Sequence, residues 1–308
     1  MSRRALFLFA LMCVIWGIPY LFIRIAVADL SPAFLVFART CVGALILLPI
    51  ALARGEVRGL ARHWRALVAF AAIEIGIPWL MLSSAEQRIS SSLAGLLIAA
   101  VPLVGTVVAP LFGNRENIGP ANLVGLLVGF AGVAAIVGFD LHASDSLALV
   151  QMAFVAIGYS VAPAILARYL VGLPPVGVTA GAFTLCAVVY APVAVIQAPH
   201  ALPSTAVLVS VAVLAIVCTA IGFLLFFALI AEIGPVRATV ITYVNPAVAA
   251  VLGVAVLREV FTAGMAIGFL LVLVGSVLAT RQRPAEPLPE VAFPPPRGGG
   301  RAEGEPPR

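Results

Sequence analysis

The sequence predicts an all-α integral membrane protein in which ten transmembrane helices form two inverted five-helix repeats. The first observation is composition: 63% of the 308 residues are apolar and 10% are charged, against roughly 45–50% and about 25% in soluble domains. A soluble surface needs more charge than this, so a globular soluble enzyme, a disordered regulator and a coiled coil are nearly excluded. The second observation is a series of long apolar runs, and the third is a spacing of Pro, Gly and Arg-Glu that occurs twice.

The apolar runs have the length of membrane-spanning helices. A hydrocarbon core about 30 Å thick needs roughly 20 helical residues, and continuous runs of this length do not fit barrel strands. In chain order the predicted helices are Ala5–Val27, Pro32–Leu52, Ala66–Ser83, Ser92–Phe112, Ala121–Phe139, Leu147–Ala167, Val176–Gln197, Thr205–Ile230, Val236–Leu257 and Thr262–Thr280. The first is interpreted as a retained helix and not a signal peptide, because no clean small-residue cleavage site follows it.

The distribution of arginine predicts the orientation, since all 18 basic residues are Arg. With the N-terminus inside, eleven of them lie on the cytoplasmic side, whereas only Arg24, Arg88 and Arg258 lie outside. Positive charge is enriched in cytoplasmic loops. We therefore expect a multi-pass protein of the cell inner (cytoplasmic) membrane with both termini cytoplasmic. The net charge of +5 is explained by this topology, and no nucleic-acid partner is expected.

The two halves of the chain share a pattern of turn-forming residues. The segment 89–102 matches 233–246, which lies 144 residues later, and Arg115-Glu116 matches Arg258-Glu259, which lies 143 residues later. Each half contains five predicted helices. Because five is odd, the second half must enter the membrane with the opposite orientation, which indicates inverted repeats.

These matches divide the chain into three predicted parts. The first five-helix repeat covers residues 1–140 and the second covers 145–283. Residues 284–308 are rich in Pro and Gly and cannot bury enough apolar area to fold, so they are predicted to be a disordered cytoplasmic tail. A proline-rich ligand for a partner domain is the alternative interpretation of this tail.

Several short motifs carry a resemblance to a known family. The opening helix with Trp16-Gly17, the junction AEQRISSSLA at 85–94, the segment 101–103, Arg115-Glu116 and the Gly-rich fifth and tenth helices resemble the EamA family of the drug/metabolite transporter (DMT) superfamily. The resemblance covers about residues 5–280. It implies a secondary transporter, usually an exporter of amino acids or other small metabolites, with a central cavity between two EamA-like repeats. A small-molecule substrate and the lipid bilayer are the partners that it implies.

Two charged residues lie inside predicted helices. Glu74 lies midway along the third helix and Arg39 near the outer third of the second, where a charge costs about 2.5–3.5 kcal/mol on insertion scales. Because such charges usually face a cavity, we expect Glu74 to carry a proton or to contact a cationic group. Arg39 is then its partner or the anchor for a substrate carboxylate. The alternative is a structural ion pair that fixes the second and third helices.

Prolines and their polar or aromatic neighbours form the second group of candidates. Proline removes a backbone donor and frees a carbonyl, so Pro102 and Pro246 are predicted to break the fourth and ninth helices beside a cavity. The alternative is a kink that only shapes packing. The remaining candidates for substrate binding or coupling are Trp16, Tyr20, Trp79, Thr106, Tyr159, Thr242, Tyr243 and Asn245. Their aromatic members could stack a substrate or hold a cation, and packing is their alternative role.

The remaining sequence features indicate topology and helix packing and do not indicate catalysis. The three histidines lie in loops, and the sequence has no HExxH motif, Walker A motif or carboxylate cluster, so we expect no catalytic residue, metal or cofactor. Glu86 and Arg88 are interpreted as interfacial or loop residues. The patterns Gly125-x-x-x-Gly129 and Gly264-x-x-x-Gly268 predict close helix packing within the fold or, alternatively, a dimer seam. Monomer and homodimer both remain open.

Together these features predict a secondary active transporter that is not an enzyme. We expect it to export amino acids or other small metabolites by alternating access, with proton coupling and exchange both open. A lipid or lipid-linked carrier translocase and a non-transporting membrane scaffold are the alternatives. A lateral opening lined by apolar residues would favour the lipid translocase.

Overall fold

The computed structural model describes residues 2–112, 119–138 and 146–280, and this part of the chain contains helices and no strands. Within it, eight helices are long and apolar enough to cross a membrane, and two further apolar helices are shorter. In chain order they are α1 (Arg3–Ala26), α2 (Pro32–Ala53), α3 (Leu60–Ala85), α4 (Ser91–Val108), α5 (Pro120–Gly138), α6 (Ser146–Tyr169), α7 (Pro175–Ile196), α8 (Thr205–Ile233), α9 (Ile241–Leu257) and α10 (Ala263–Ala279). The all-α prediction is therefore confirmed for the described residues. The predicted tail and Arg115-Glu116 lie outside them.

Hydroxyl side chains set the first residue of several helices. A Ser or Thr immediately before a helix accepts a hydrogen bond from a backbone N–H of the first turn, which otherwise has no partner. This arrangement begins α1, α2, α4, α8 and α10, and the capping residues are Ser2, Ser31, Ser90, Ser204 and Thr262. Local sequence thus determines where half of the helices start.

Contacts at the helix ends show the relative direction of α1 and α8. At one end, Arg4 near the start of α1 forms an ion pair with Glu232 near the end of α8, with 3.2 Å between Nη1 and Oε1. At the other end, Asp29 accepts a hydrogen bond from the backbone N–H of Ser204 at 3.2 Å. Because Asp29 follows α1 and Ser204 precedes α8, these two helices run antiparallel.

Glycines allow α5 and α10 to pack in direct backbone contact. A Cβ on Gly132 would lie 2.7 Å from the Gly268 carbonyl oxygen, and one on Gly125 would lie 2.8 Å from the Gly275 carbonyl oxygen. Any larger residue would force the helices apart. The glycine patterns of the fifth and tenth helices therefore pack within the fold, and the dimer-seam interpretation is wrong for Gly125 and Gly268.

Several helices depart from regular α geometry. α1 is interrupted between Ile15 and Pro19, and α4 is interrupted between Ile98 and Val101. α3 and α8 instead contain π-helical segments, at Ala71–Gly76 and Val213–Ile221. A π-helical turn inserts an extra residue, and such segments are frequent at functional sites.

The prediction of a helix break is confirmed at Pro102 and is wrong at Pro246. Pro102 does follow a break, since it is near the start of the second part of α4, Val101–Val108. Pro246 does not break α9, which runs without interruption from Ile241 to Leu257. The break lies earlier, after the one-turn helix Pro235–Ala238. Proline removes the N–H donor to the carbonyl one turn before it. For Pro246 that carbonyl lies in the first turn of α9, and the helix continues beyond it.

Candidate functional site

Arg39, the cation among the candidate residues, is buried. Its residue is 5% exposed, and its Cζ atom lies 3.8 Å from the centre of the Trp79 ring, a cation–π contact. Nη2 donates a hydrogen bond of 3.4 Å to Oγ1 of Thr219 in the π-helical segment of α8, whereas Nε is buried and has no partner. The guanidinium therefore rests on an aromatic face and keeps unused donor capacity.

The expected pairing of Arg39 with Glu74 is wrong. Ion pairs within the described residues join Arg4 to Glu232 and Arg54 to Glu56, and Arg39 is not part of one. Glu74 lies half-buried in the π-helical segment of α3 and interacts electrostatically with Tyr159 of α6. Arg39 therefore contacts Trp79 and is not in an ion pair with Glu74.

Aromatic and polar side chains from four helices surround Arg39. Tyr20, Tyr159, Glu86 and Cys218 all lie within electrostatic range of its guanidinium. Tyr20 belongs to one buried apolar cluster and Trp79 to another, and Tyr159 packs against both clusters. The structure thus brings together four of the sequence-predicted candidates, namely Arg39, Tyr20, Trp79 and Tyr159, where the two clusters meet.

Glu86 is a site residue that the sequence analysis missed. Glu86 lies in the turn that follows α3, as a loop residue would, but it is 0% exposed and neither carboxylate oxygen has a hydrogen-bond partner. Arg24 donates to the backbone carbonyl of Glu86 and not to its carboxylate. The Glu86 carboxyl lies within electrostatic range of Arg39.

The two π-helical segments each free carbonyl groups, and side-chain donors occupy them. In α8, the Trp16 indole N–H donates to the Cys218 carbonyl at 3.2 Å. In α3, the Tyr190 hydroxyl donates to the Gly76 carbonyl at 3.0 Å. The 144-residue offset between the two halves also aligns Glu74 with Cys218. The irregular segments thus lie at corresponding places in both halves of the chain.

Trp16 and Asn245 hold helices together and do not reach Arg39. Trp16 packs against Phe226 at 4.6 Å between ring centres in addition to its hydrogen bond with α8. The Asn245 amide, in the orientation that satisfies its hydrogen bonds, donates to the carbonyls of Ile241 and Cys13, both at 3.0 Å. The Cys13 carbonyl lies at the interruption of α1, so Asn245 occupies an acceptor that the interruption frees. For both residues the packing role is the one that the structure displays.

The remaining candidates use their polar groups locally. Thr106 donates to the Pro102 carbonyl at 2.9 Å, and Thr242 donates to the Thr239 carbonyl at 2.7 Å. Tyr243 and Pro246 lie on α9 near these contacts. None of these candidates has a hydrogen bond or ion pair with Arg39, Glu74 or Glu86 in the described part of the chain. The structure therefore does not join them to the Arg39 cluster.

A second polar contact was also missed and links the two halves of the chain. The Glu259 carboxylate accepts hydrogen bonds from the backbone N–H and the hydroxyl groups of Ser91 and Ser92, at 2.6–3.0 Å. Four donors at the start of α4 thus converge on one carboxylate, which also faces the positive end of the helix dipole. The sequence shows Glu259 only as part of a repeated Arg-Glu pair, with no sign of its distant partners.

The family model of the EamA-like transporter family matches the chain twice, over residues 3–138 and 146–281. The chain belongs to this family. The EamA chain is 29% identical over 255 residues to YedA of Escherichia coli (strain K12), named as an uncharacterized inner membrane transporter, and the match covers 80% of each chain. An uncharacterized transporter of Archaeoglobus fulgidus is 24% identical over 283 residues, covering 89% of this chain and 98% of the relative.

The fold also resembles that of a solved protein. One crystal structure matches the EamA chain with a TM-score of 0.65 at 22% identity, covering 91% of this chain and 97% of the other. At that identity the likeness concerns the fold alone. Family membership and the apolar helices together identify a multi-pass membrane transporter.

Proposed function

We propose that this chain is a secondary active transporter that exports amino acids or other small metabolites from the cell by alternating access. The observation that carries the proposal is Arg39, a buried cation that rests on Trp79 and is not paired with a carboxylate. We assign Arg39 the role of binding the carboxylate of the substrate. Tyr20, Tyr159 and Trp79 then supply the apolar walls.

The energetics of a buried guanidinium favour this assignment. An intramembrane charge costs free energy, and such residues usually face a substrate or ion path. A guanidinium binds a carboxylate through parallel N–H donors, and the Nε donor of Arg39 has no partner in the protein. A carboxylate ligand would satisfy that donor and neutralise the charge. Stacking on Trp79 holds the guanidinium plane in place for such a ligand.

The inverted-repeat architecture belongs to the same proposal. Two matches to one family model and π-helical segments in α3 and α8 support two related halves. We propose ten transmembrane helices in two inverted five-helix repeats within the cell inner membrane, with both termini in the cytoplasm. The positive-inside distribution of arginine supports this orientation. The Arg39 cluster then lies where the halves meet, as alternating access requires.

Proton coupling through Glu74 is the proposed driving mechanism. Glu74 lies in a π-helical segment, half-buried, and interacts electrostatically with Tyr159 beside the Arg39 cluster. A carboxyl group at this depth can take up a proton on one side of the membrane and release it on the other. A Gln at this position keeps the shape of the side chain and removes its titration.

The experiment begins with a thermal-shift screen of amino acids, nucleosides and cationic drugs on the purified protein. Compounds that stabilise it are then tested for uptake into proteoliposomes, with and without an imposed pH gradient. We expect a gradient to drive uptake by the wild type, and Glu74→Gln to abolish driven uptake while keeping exchange. Glu56→Gln, which changes a loop carboxylate paired with Arg54, is the matched control. Driven uptake that is unchanged in Glu74→Gln would overturn proton coupling through this residue.

A further inference from the structure

Two buried ionisable groups, one acidic and one basic, have unused hydrogen-bonding capacity near the C-terminal end of α3. Both carboxylate oxygens of Glu86 and the Nε atom of Arg39 are buried without partners. Ser83 lies one turn before Glu86 on the same helix, and its hydroxyl is also buried without a partner. A buried polar group without a partner costs free energy. A ligand that pairs with these groups would recover that free energy.

Glu86 and Arg39 lie near each other without forming an ion pair. The ion pairs of the described residues join other partners, so the electrostatic interaction of Glu86 with Arg39 is not a direct contact of this kind. Tyr20 lies within electrostatic range of both residues. An acidic group, a basic group and an aromatic ring therefore lie near one another.

A structural ion pair does not account for Glu86. Arg24 is the other cation within electrostatic range of Glu86, but its guanidinium donates to the Glu86 backbone carbonyl. Glu259, the nearby anion, is already occupied by the four donors of Ser91 and Ser92. The Glu86 carboxylate is thus the one member of this group whose oxygens have no hydrogen-bond partner among the described residues.

We propose that Glu86 and Arg39 form a two-ended site that selects zwitterions. On binding, the Glu86 carboxyl gives its proton to water and its carboxylate pairs with the ammonium group of the ligand, and Arg39 binds the ligand carboxylate. This inference rests on the proposed function and deepens it, because it adds Glu86 as a specificity residue and requires both charges on the substrate. Trp79 covers one face of the guanidinium at 3.8 Å, so the carboxylate approaches the edge where Nε is free.

Matched ligands that differ only in their charged groups test the site. One set is phenylalanine, phenethylamine and 3-phenylpropionate, and the second is leucine, isopentylamine and 4-methylpentanoate. Each set contains the zwitterion, the amine without the carboxylate and the acid without the amine. Binding to the full-length protein in lipid nanodiscs is measured by calorimetry for the wild type, Glu86→Gln and Arg39→Gln. Glu232→Gln, a carboxylate paired with Arg4 at one end of the bundle, is the control substitution.

We expect the wild type to bind at least one zwitterion ten-fold or more tightly than both matched single-charge ligands. Glu86→Gln should remove the preference for the zwitterion over the acid and leave binding of the acid unchanged. Arg39→Gln should remove the preference for the zwitterion over the amine. Glu232→Gln should behave as the wild type. A merely structural role for Glu86 would weaken all three ligands equally, and the zwitterion-to-acid ratio would stay as in the wild type.

The outcomes separate this inference from the proposed function. An unchanged zwitterion-to-acid ratio in Glu86→Gln, or tighter binding of a single-charge ligand by the wild type, would overturn the two-ended site while transport stands. If neither set binds but a metabolite that lacks an ammonium or a carboxylate group is taken up by proteoliposomes, the zwitterion site is again wrong and the transporter is not. If no compound of the thermal-shift screen is transported, the proposed function itself fails.

Discussion

The Glu259 carboxylate lies 2.6 Å from the Ser92 hydroxyl, although 167 residues separate the two along the chain. This contact joins the loop after α9 to the first turn of α4. A glycine makes room for it, since a Cβ on Gly253 would collide with both the Ser92 hydroxyl and the Glu259 carboxylate. The carboxylate therefore acts as a cap that one half of the chain supplies to a helix of the other.

Glu259→Gln should destabilise the protein. An amide has one acceptor oxygen and no charge, so several of the four donors lose their partner, and hydrogen bonds to charged groups contribute about 1.5–3 kcal/mol. Thermal unfolding in nanodiscs should show a clearly lower midpoint than in Glu232→Gln, whose partly exposed ion pair contributes about 0–1 kcal/mol. Equal midpoints for the two variants would contradict the capping role.

Trp16→Phe should destabilise the contact between α1 and α8. The ring contacts with Phe226 are retained, but the hydrogen bond to the Cys218 carbonyl is lost, at a cost of about 1–3 kcal/mol for a buried acceptor. Trp64→Phe is the control, because Trp64 is 56% exposed. Chemical or thermal unfolding of both variants measures the difference. A control variant that loses as much stability as Trp16→Phe would argue against this hydrogen bond.

Gly132→Leu should separate α5 from α10 and lower the folded yield sharply. Even a Cβ at this position would lie 2.7 Å from the Gly268 carbonyl oxygen, so a whole side chain cannot fit. Gly138→Leu is the control on the same helix, since nothing lies within 4 Å of a Cβ there. Size-exclusion chromatography of the two variants after identical extraction reports the result. Similar monodisperse yields would show that the α5–α10 contact tolerates bulk.

Glu86→Gln should change how stability depends on pH. Burial, and then the negative charge of Glu259, raise the pKa of the Glu86 carboxyl well above its usual range, whereas Arg24 and Arg39 act in the opposite direction. The folded protein therefore holds this proton more tightly than the unfolded chain does. Its stabilising effect is complete below the unfolded pKa and is lost as pH rises toward the folded pKa.

The midpoint of thermal unfolding, followed from about pH 4 to about pH 9, checks this sign. The wild type should lose stability relative to Glu86→Gln as pH rises above the ordinary carboxyl pKa. The groups that face Glu86 are Arg24, Arg39, Glu259 and Tyr20, and they are the same in both proteins. Parallel curves for the two proteins would show that Glu86 does not hold the proton.

Much of the fold could be predicted from the sequence, because apolar length and helix caps are local properties. The ten apolar runs reappear as α1 to α10, with shifts at their ends such as the start of α3 at Leu60 in place of Ala66. The interruptions could be predicted only in part. Pro102 does follow one, but α9 continues through Pro246 and the π-helical segments carry no distinct sequence signal.

The site was harder to predict because its contacts join distant parts of the chain. Charge inside an apolar run identified Arg39, but its partners Trp79 and Thr219 depend on how α2, α3 and α8 pack. Glu86 escaped notice because it lies at a predicted helix end, where a carboxylate is usually solvated. Its burial results from the direction of its side chain and from the neighbouring helices, neither of which the sequence alone displays.

The measurement that tests the central claim most directly is counterflow in proteoliposomes with wild type, Arg39→Gln and Arg54→Gln. The liposomes are loaded with an excess of an unlabelled carboxylate-bearing ligand from the thermal-shift screen, and entry of the labelled ligand is followed. We predict transient accumulation by the wild type and by Arg54→Gln, which changes a loop arginine, and at least a ten-fold lower initial rate for Arg39→Gln. Equal rates for Arg39→Gln and the wild type would contradict substrate binding at Arg39.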